Sequence, residues 1–270
     1  MPRRLLVTGA QGFIGTHFVR AMEQASSLAD WTVSTWDRYI HESLLGPNVE
    51  RNLAREAPDA LLHLAWAATG TADYESSAEN VVWATATARL AKACADQGIW
   101  FIGTGTCLEK ELPPTSGTYV RAKVDANVAA RTVLQPNLLT WVRPYWVVSL
   151  EDARPRVVRA ALEASRSGAV FEPKEAGRRL DFIDVEDVAT ALVAIVMSAT
   201  KGEIDIGSGR LRSVHELISL LPVGMTPLEE GAALKWSVSV PASLDRLERI
   251  GWYPAHTEAL FGRGPFHRQS

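Results

Sequence analysis

The chain has 270 residues, 47% of them hydrophobic and 22% charged, which is enough to bury the core of one large α/β domain or of a main domain with a small lobe. Its formal net charge of −3 argues against nucleic-acid binding, and the two cysteines predict reduced thiols instead of a disulfide framework. No apolar run is long enough to cross a bilayer and the first one is too short for a signal-peptide core, so we expect a cytoplasmic protein that binds no membrane.

The first half of the chain alternates buried apolar runs with helical patterns. Gly98 follows the longest helical pattern and should stop that helix in the left-handed conformation that glycine favours. The predicted elements, in chain order, are a strand at 5–7, a helix at 12–24, a strand at Trp31–Trp36, a strand at 60–65, a helix at Glu79–Gln97, a strand at 100–102, a helix at Thr118–Val133 and a strand at 138–142.

The second half has a different composition. Residues 151–179 are richer in Arg, Glu and Gly, short strands are predicted at 181–183 and 204–206 on either side of a helix at 185–197, and the tail is rich in proline. Alternating strands and helices predict an α/β fold with a Rossmann-type, doubly wound parallel sheet. We assign 1–148 and about 181–207 to a dinucleotide-binding domain, and about 149–180 and 208–270 to a small, discontinuous C-terminal substrate lobe.

The strongest local signal is the glycine-rich turn between the first strand and the first helix. Gly9 permits a tight turn, Gly12 allows the backbone to approach a pyrophosphate, and Gly15 allows the helix to pack closely on the strand. The helix N-terminus then presents its partial positive charge to the phosphates. The spacing, Gly-x-x-Gly-x-x-Gly, predicts a dinucleotide site.

Two charged residues, Asp37 and Arg38, stand at the end of the second predicted strand. Asp37 ends the strand, where a carboxylate can accept hydrogen bonds from the adenosine ribose, which favours NAD. Arg38 comes next and can pair with a 2′-phosphate, which keeps NADP open, although a solvated surface arginine is an equally good interpretation. We therefore expect NAD or NADP.

Tyr119 and Lys123 stand four residues apart and so lie on one face of a predicted helix. An ammonium beside a phenol favours the phenolate, and such a tyrosine can exchange a proton with a substrate oxygen. Thr104 and Thr106 supply hydroxyls at the end of a predicted strand between the glycine loop and this pair.

These motifs, in this order, resemble the extended short-chain dehydrogenase/reductase family, the NAD-dependent epimerase/dehydratase group. The resemblance covers nearly the whole chain. It is carried by the cofactor loop 8–17, the run 59–65 that ends in His-Leu-Ala, Glu79-Asn80-Val81, the pair Tyr119 and Lys123, Val142-Arg143-Pro144, the segment 181–189, and the later landmarks 204–209 and 247–254.

The resemblance implies a mechanism and a cofactor site. Thr104, with Thr106 as the fallback, hydrogen-bonds the reacting oxygen; Tyr119 transfers the proton; Lys123 bonds the nicotinamide ribose and tunes the tyrosine. His63 is interpreted as a buried structural histidine. A homodimer through the helices Glu79–Gln97 and Thr118–Val133 is also implied. The implied cofactor-binding residues are Gly9, Gln11, Gly12, Phe13, Ile14, Gly15, Asp37, Arg38, Leu64, Ala65, Trp66, Tyr119 and Lys123.

The chain also departs from the family. Gly105 and Thr106 follow Thr104 where dehydratases carry an acid pair, which argues against sugar dehydration. Trp146 stands where nucleotide-sugar enzymes usually have an asparagine, which weakens the inference of a nucleotide sugar. The remaining predictions concern side chains near the site: Cys107 as a small packed side chain, Glu109 as a loop charge in preference to an acid near the site, Arg178 and Arg179 as weak candidates for a substrate diphosphate, and no metal ligands.

The favoured function is an NAD(P)-dependent keto-reductase of a nucleotide-activated sugar. A nucleotide-sugar epimerase needs the same three side chains and stays open. A reductase of a non-sugar carbonyl is made credible by Trp146, and a non-catalytic NAD(P)-sensing protein is disfavoured because Tyr119 and Lys123 are both present. A diphosphate-binding arginine beside the pocket favours the sugar substrate; an apolar pocket favours a lipid-like or polyketide-like carbonyl.

Overall fold

The computed structural model describes residues 2–26, 31–36, 44, 46–66, 74–110, 117–150, 157–173, 175–225 and 240–262. Its strands are β1 (Arg3–Thr8), β2 (Trp31–Trp36), β3 (Ala60–His63), β4 (Trp100–Thr104), β5 (Leu139–Pro144), β6 (Trp146–Val148), β7 (Arg179–Leu180), β8 (Phe182–Asp184), β9 (Gly202–Ile206) and β10 (Arg212–Ser213). Its helices are α1 (Phe13–Ser26), α2 (Val49–Glu56), α3 (Glu79–Gln97), α4 (Thr118–Val133), α5 (Val157–Ser167), α6 (Val185–Ser198), α7 (Val214–Ile218), α8 (Asp245–Glu248) and α9 (Ala255–Gly262).

A parallel sheet organises the molecule. Among the described residues it has six strands in the order β2-β1-β3-β4-β5-β9, and each neighbouring pair is parallel. The carboxyl ends of β1, β3 and β4 therefore meet at one edge, where ligands bind in open α/β sheets. The predicted Rossmann-type parallel sheet is confirmed, and the helix stop at Gly98 is observed with a φ of 67°.

The sheet is covered on both faces. Leu5, Leu6 and Val7 of β1 are all fully buried, yet Leu5 and Val7 belong to one hydrophobic cluster and Leu6 to another. Alternation along a strand sends neighbouring side chains to opposite faces, so the two clusters are the two faces of the sheet. Helices α1 and α6 contribute to the cluster of Leu5, and α2, α3 and α4 to the cluster of Leu6.

A third hydrophobic cluster lies away from the main sheet. It includes Val158 and Ala161 of α5, Phe182 of β8 and Leu217 of α7. Here β6 pairs with β8 and β10 with β7, in two small sheets separate from the six strands. A cluster of this kind is what a small C-terminal lobe requires, and the division of the chain into two domains stays a prediction.

Two buried aspartates tie the C-terminal part of the chain to this framework. Asp181 accepts hydrogen bonds from the backbone N–H groups of Ser208, Gly209 and Ala242 at 2.7, 3.0 and 2.9 Å. Asp187 in α6 accepts from the N–H groups of residues 256 and 257 at 3.0 and 2.6 Å. Carboxylates that accept several amide bonds are well satisfied although buried, so both side chains are structural.

No helix in the described part of the chain combines the length and the apolar character that crossing a bilayer requires.

Candidate active site

The glycine loop packs against the end of β3. Gly9 has a φ of 73°, and a Cβ at this position would lie 2.7 Å from the backbone nitrogen of Ala65. A Cβ on Gly15 would collide with the carbonyl oxygen of Gly9, and the N–H of Gly12 donates to that same oxygen at 3.0 Å. The turn is therefore built from backbone alone, and the first turn of α1 follows it at the carboxyl edge of the sheet.

A cavity of about 580 Å³ extends along this edge. At one end lies the glycine loop with Trp36, Leu44 and Trp83, and at the other lie Tyr145 and Trp146. The predicted site residues that line it are Gly9, Gln11, Gly12, Phe13, Ile14, Gly15, Leu64, Ala65, Trp66, Thr104, Thr106, Tyr119 and Lys123. Asp37 and Arg38 lie outside the described residues, although Trp36, directly before them, reaches the cavity.

Lys123 is buried beside Thr104 in the wall of this cavity. Its Nζ donates to the carbonyl oxygen of Thr104 at 2.8 Å and lies 3.6 Å from the ring centroid of Trp66. Burial lowers the pKa of Lys123 from 10.5 to about 7, and the Glu109 carboxylate opposes that shift. A buried lysine thus titrates near neutral pH, where its charge state is sensitive to its neighbours.

Tyr119 stands one helical turn before Lys123, in a cluster of aromatic rings. Its ring meets those of Trp66 and Tyr74 edge-on, with centroid separations of 6.2 and 5.1 Å. The side chain of Asn80 fixes this cluster, since it accepts from Trp66 Nε1 at 2.9 Å and donates to the carbonyl of Tyr74 at 2.6 Å. The family resemblance pointed to Asn80, but its contact with Trp66 was not predicted.

Thr104, the last residue of β4, and Thr106, two residues later, differ in the hydrogen bonding of their hydroxyls. Thr104 Oγ1 is buried and makes no hydrogen bond to any residue that the structure describes. Thr106 Oγ1 accepts from the N–H of Leu108 at 3.4 Å, within the short 3₁₀ helix Cys107–Lys110. The hydroxyl of Thr104 therefore has no hydrogen-bond partner among the described residues, and because both threonines line the cavity, both stay candidates for the group that receives a ligand.

His63 is enclosed between β1 and α3. Its Nδ1 lies 2.7 Å from Thr8 Oγ1 and its Nε2 lies 3.0 Å from Thr87 Oγ1. Thr87 donates its own proton to the carbonyl of Trp83, so Nε2 must be the donor on the histidine and Nδ1 the acceptor. Burial, with the charge of Lys123 added, lowers the pKa of His63 to about 3. The histidine is neutral and structural, as the sequence predicted.

Glu109 corrects an expectation. Sequence reasoning placed it as a loop charge, but its side chain is only 4% exposed. Its carboxylate accepts from the N–H of Thr106 at 2.8 Å and from Trp141 Nε1 at 3.1 Å, and it pairs with Arg143 Nε at 3.3 Å. The expectation was wrong because Trp141 and Arg143 belong to β5, more than thirty residues along the chain, and no local sequence pattern predicts their contact with Glu109.

The remaining candidates lie around the cavity. Cys107 is buried and lines the wall, and Trp146 lines the far end. Arg178 stacks over the Trp146 ring at 5.2 Å and pairs with Glu175 at 3.2 Å. Arg179 donates instead to a backbone carbonyl at 2.7 Å. Arg178 thus contacts a residue of the cavity wall.

The residues present fit a dinucleotide. Close packing of backbone excludes side chains at Gly9 and Gly15, the loop leads into the N-terminus of α1, and Thr104 lines the same cavity. The loop residues and the end of β3 would hold the pyrophosphate and the adjoining ribose, and Lys123 and Tyr119 would border the nicotinamide end.

Solved structures resemble this chain in fold. A dTDP-4-dehydrorhamnose reductase from Bacillus anthracis, in complex with NADP, matches with a TM-score of 0.75 and 16% identity over 97% of each chain. A UDP-glucose 4-epimerase from Thermus thermophilus, in complex with NAD, matches at 0.66 and 21% over 93% of this chain and 94% of that one. A UDP-N-acetylglucosamine 4-epimerase from Methanobrevibacter ruminantium, in complex with UDP-N-acetylmuramic acid, matches at 0.67 and 18% over 96% and 95%.

At these identities the structural likeness establishes the fold alone. No curated protein sequence matches the chain. The sequence profile that does match spans residues 5–207, from the first strand of the sheet to the end of the last, and includes the glycine loop, Tyr119 and Lys123. The chain therefore belongs to the NAD dependent epimerase/dehydratase family.

Proposed function

We propose that the protein is an NAD(P)-dependent oxidoreductase that reduces a keto group of a nucleotide-activated sugar. The observation that carries the proposal is that a cavity joins a dinucleotide-type glycine loop to Thr104, Tyr119 and Lys123. When bound, the nicotinamide supplies or accepts the hydride. The protein must then bind and orient the substrate oxygen and exchange a proton with it.

The three side chains divide this work. Thr104, whose hydroxyl is unsatisfied among the described residues, donates a hydrogen bond to the substrate oxygen. Tyr119 gives the proton to that oxygen as the carbonyl becomes a hydroxyl. Lys123, bonded to the Thr104 carbonyl at 2.8 Å, places a positive charge that favours the phenolate formed when the tyrosine has given up its proton.

The sugar-nucleotide substrate has two supports. Structural relatives include a dTDP-4-dehydrorhamnose reductase and two epimerases of UDP sugars. Within this chain, Arg178 lies over the ring of Trp146 at the end of the cavity opposite the glycine loop. A guanidinium there suits the diphosphate of a nucleotide sugar, because its planar fork can bond two phosphate oxygens at once.

Two further candidate activities have specific support. An epimerase would use the same Thr104, Tyr119 and Lys123, with the hydride returned to the other face of the substrate. A reductase of a non-sugar carbonyl is favoured by the indole of Trp146 and the ring of Tyr145 at the substrate end. A protein that only senses NAD(P) would need neither an unsatisfied Thr104 hydroxyl nor a buried lysine.

The test compares these activities directly. Purified protein is mixed with NADH or NADPH and dTDP-4-dehydrorhamnose, with UDP-glucose and NAD, or with a panel of apolar ketones, and nicotinamide absorbance and sugar products are followed. We expect oxidation of the reduced cofactor with the keto sugar, and none with Tyr119→Phe. Epimerised UDP sugar or turnover of apolar ketones alone would replace the proposal with the corresponding alternative. Absence of nicotinamide binding by calorimetry would reject all of them.

The choice between NAD and NADP depends on Asp37 and Arg38, which the structure does not describe. We propose that Asp37 bonds the adenosine ribose and that Arg38 accommodates a 2′-phosphate when NADP is bound. Arg38→Ala should weaken NADPH binding and leave NADH binding unchanged, whereas Asp37→Ala should weaken NADH more. Equal effects on both cofactors by calorimetry would contradict these roles.

We also propose a cytoplasmic homodimer. Helices α3 and α4 each carry exposed valines, with Val81 57%, Val82 48% and Val128 58% exposed. Apolar side chains on two neighbouring helices suit a second copy of the same surface, in a symmetric interface. Light scattering should give twice the chain mass, and the double variant Val82→Glu with Val128→Glu should give a monomer. A monomer at all concentrations would reject the dimer.

A further inference from the structure

Five charged side chains, separate from those assigned above, form a group in which Glu109, Arg143 and Asp205 are buried and Lys110 and Glu203 are partly exposed. Glu109 pairs with Arg143, and Arg143 also pairs with Glu203 and, at 3.6 Å, with Asp205. Lys110 contacts Asp205 from the other side. Arg143 is therefore held by carboxylates from three positions, and its own charge does not depend on Glu109 alone.

The lack of a side chain at Gly105 leaves the space that Glu109 occupies. A Cβ at residue 105 would collide with Glu109 Oε1 and with Trp141 Nε1. The absence of a side chain at Gly105 thus allows the carboxylate to approach the loop that carries Thr104 and Thr106. From there it accepts the N–H of Thr106 at 2.8 Å. This hydrogen bond anchors the loop after β4 to the Glu109 carboxylate.

The surroundings of Lys123 connect the Glu109 carboxylate to the proposed reaction. Lys123 Nζ donates to the Thr104 carbonyl at 2.8 Å, and Glu109 accepts the N–H of Thr106, two residues further along the same loop, at 2.8 Å. Asn127, one helical turn after Lys123 in α4, donates to the other oxygen of Glu109 at 3.4 Å, so the carboxylate and the ammonium bind the same loop and the same helix. The other groups that face these two side chains are His63 of β3, which is neutral; Tyr119 and Asn127 of α4; and Trp141 and Arg143 of β5.

Burial acts on the two charges in opposite directions. Burial raises the pKa of Glu109, while the Thr106 amide, Arg143, Trp141 and Lys123 lower it. Burial lowers the pKa of Lys123 to about 7, and Glu109 opposes the change. Each group therefore favours the charged form of the other. Because the pKa of Lys123 is about 7, loss of the Glu109 carboxylate would convert much of Lys123 to the neutral amine at neutral pH.

We propose that Glu109 is a positioning residue that keeps Lys123 in its ammonium form and holds the Thr104–Thr106 loop against the cavity. The catalytic part of this proposal rests on the proposed function, because it is the Lys123 ammonium that favours the phenolate of Tyr119. The electrostatic claim concerns the free protein and is tested without any substrate.

The experiment is a titration of Lys123 by NMR in protein labelled with ¹³C at lysine. The chain has six lysines, and the resonance of Lys123 is assigned by its loss in Lys123→Arg. In Glu109→Gln we expect the midpoint of Lys123 to move by about one pH unit to lower pH, since a neighbouring opposite charge typically shifts a pKa by about 1–3 units. The ammonium fraction at pH 7 would then fall about fivefold.

The matched control is Glu203→Gln, which removes another carboxylate from Arg143 but none that acts on Lys123. Its Lys123 midpoint should equal that of the wild type. An unchanged midpoint in Glu109→Gln, or an equal shift in both variants, would overturn the proposal. If Glu109→Gln does not fold, the reciprocal measurement decides: in Lys123→Met the carboxyl of Glu109 must titrate at higher pH than in the wild type.

A final readout separates this proposal from the proposed function. If a substrate is found, the alkaline limb of kcat/KM in Glu109→Gln should move to lower pH together with the NMR midpoint, while the Glu203→Gln profile stays in place. A shifted NMR midpoint in a protein without turnover leaves the electrostatic role standing and rejects only the oxidoreductase. A shifted profile with an unshifted NMR midpoint rejects the role given to Glu109.

Discussion

The two ends of the cavity are built by different means, and the proposed function assigns nucleotide binding to one end and chemistry to the other. The nucleotide end, around Gly9 and Gly15, consists of backbone whose shape depends on the absence of side chains. The reaction end, around Lys123 and Glu109, consists of buried side chains whose charges depend on one another. Substitutions at the first end should therefore act through shape and stability, and substitutions at the second through rate and pH.

The largest effect is expected from Gly9→Val. The added side chain would meet Ala65 at the end of β3, and the φ of 73° strains any non-glycine residue. Strain of this kind costs about 1–3 kcal/mol before the collision is counted, and the pyrophosphate site is lost with the turn. Calorimetry should detect no NAD(P) binding, and the melting temperature should fall. Unchanged affinity for both cofactors would show that nucleotide binding does not depend on the shape of the glycine turn.

Tyr119→Phe should leave the fold and cofactor binding intact and reduce turnover. The ring still packs against Trp66 and Tyr74, but the proton donor is gone, and general acid–base catalysis contributes about 10²–10⁴-fold. The measurement is kcat with the best substrate, alongside the cofactor affinity. Turnover equal to that of the wild type would remove Tyr119 from the chemistry and leave only the nucleotide site.

Lys123→Met should lose activity and gain stability. The pKa of Lys123 is lower in the folded protein than its ordinary 10.5, so the cost of burying the ammonium is fully present below about pH 7 and disappears as the pH rises toward 10.5. The variant should be more stable than the wild type at pH 6, with the difference shrinking at alkaline pH. Any residual activity should have its profile at higher pH. Denaturant unfolding at several pH values tests this, and a variant less stable at pH 6 would contradict it.

Thr104→Ala should have the smallest effect of the four. It removes one hydrogen bond to the substrate oxygen, which contributes about 1 kcal/mol, and so lowers kcat/KM by about tenfold or less. The proton path through Tyr119 is intact. Because Thr104 Oγ1 has no partner among the described residues, stability should not change. A loss as large as that of Tyr119→Phe would show that the threonine does more than orient the substrate.

Sequence reasoning was most accurate where the signal was local. The bounds predicted for Trp31–Trp36, Glu79–Gln97 and Thr118–Val133 agree with the structure, because the apolar pattern and the stop after each element lie in the same few residues. The glycine-rich turn between β1 and α1 was predicted for the same reason, since Gly9, Gly12 and Gly15 lie within seven residues, and its role in cofactor binding stays a prediction.

Features that depend on distant partners were not predicted. Glu109 is buried because Trp141 and Arg143 of β5 surround it, and a four-residue 3₁₀ helix shows no periodicity that reveals a buried face. The pairing of β7 with β10 involves two residues on each strand, too few for an alternating pattern. The contact of Asn80 with Trp66 likewise joins residues from different elements.

The manner in which Asp181 and Asp187 hold the C-terminal part of the chain has a consequence for evolution. Both carboxylates bind mainly main-chain N–H groups, at 208, 209, 242, 256 and 257. Every residue except proline offers that group, so mutations in this stretch can accumulate without detaching it from the sheet. The proposed substrate lobe could then acquire new specificities while its attachment to the sheet stays constant.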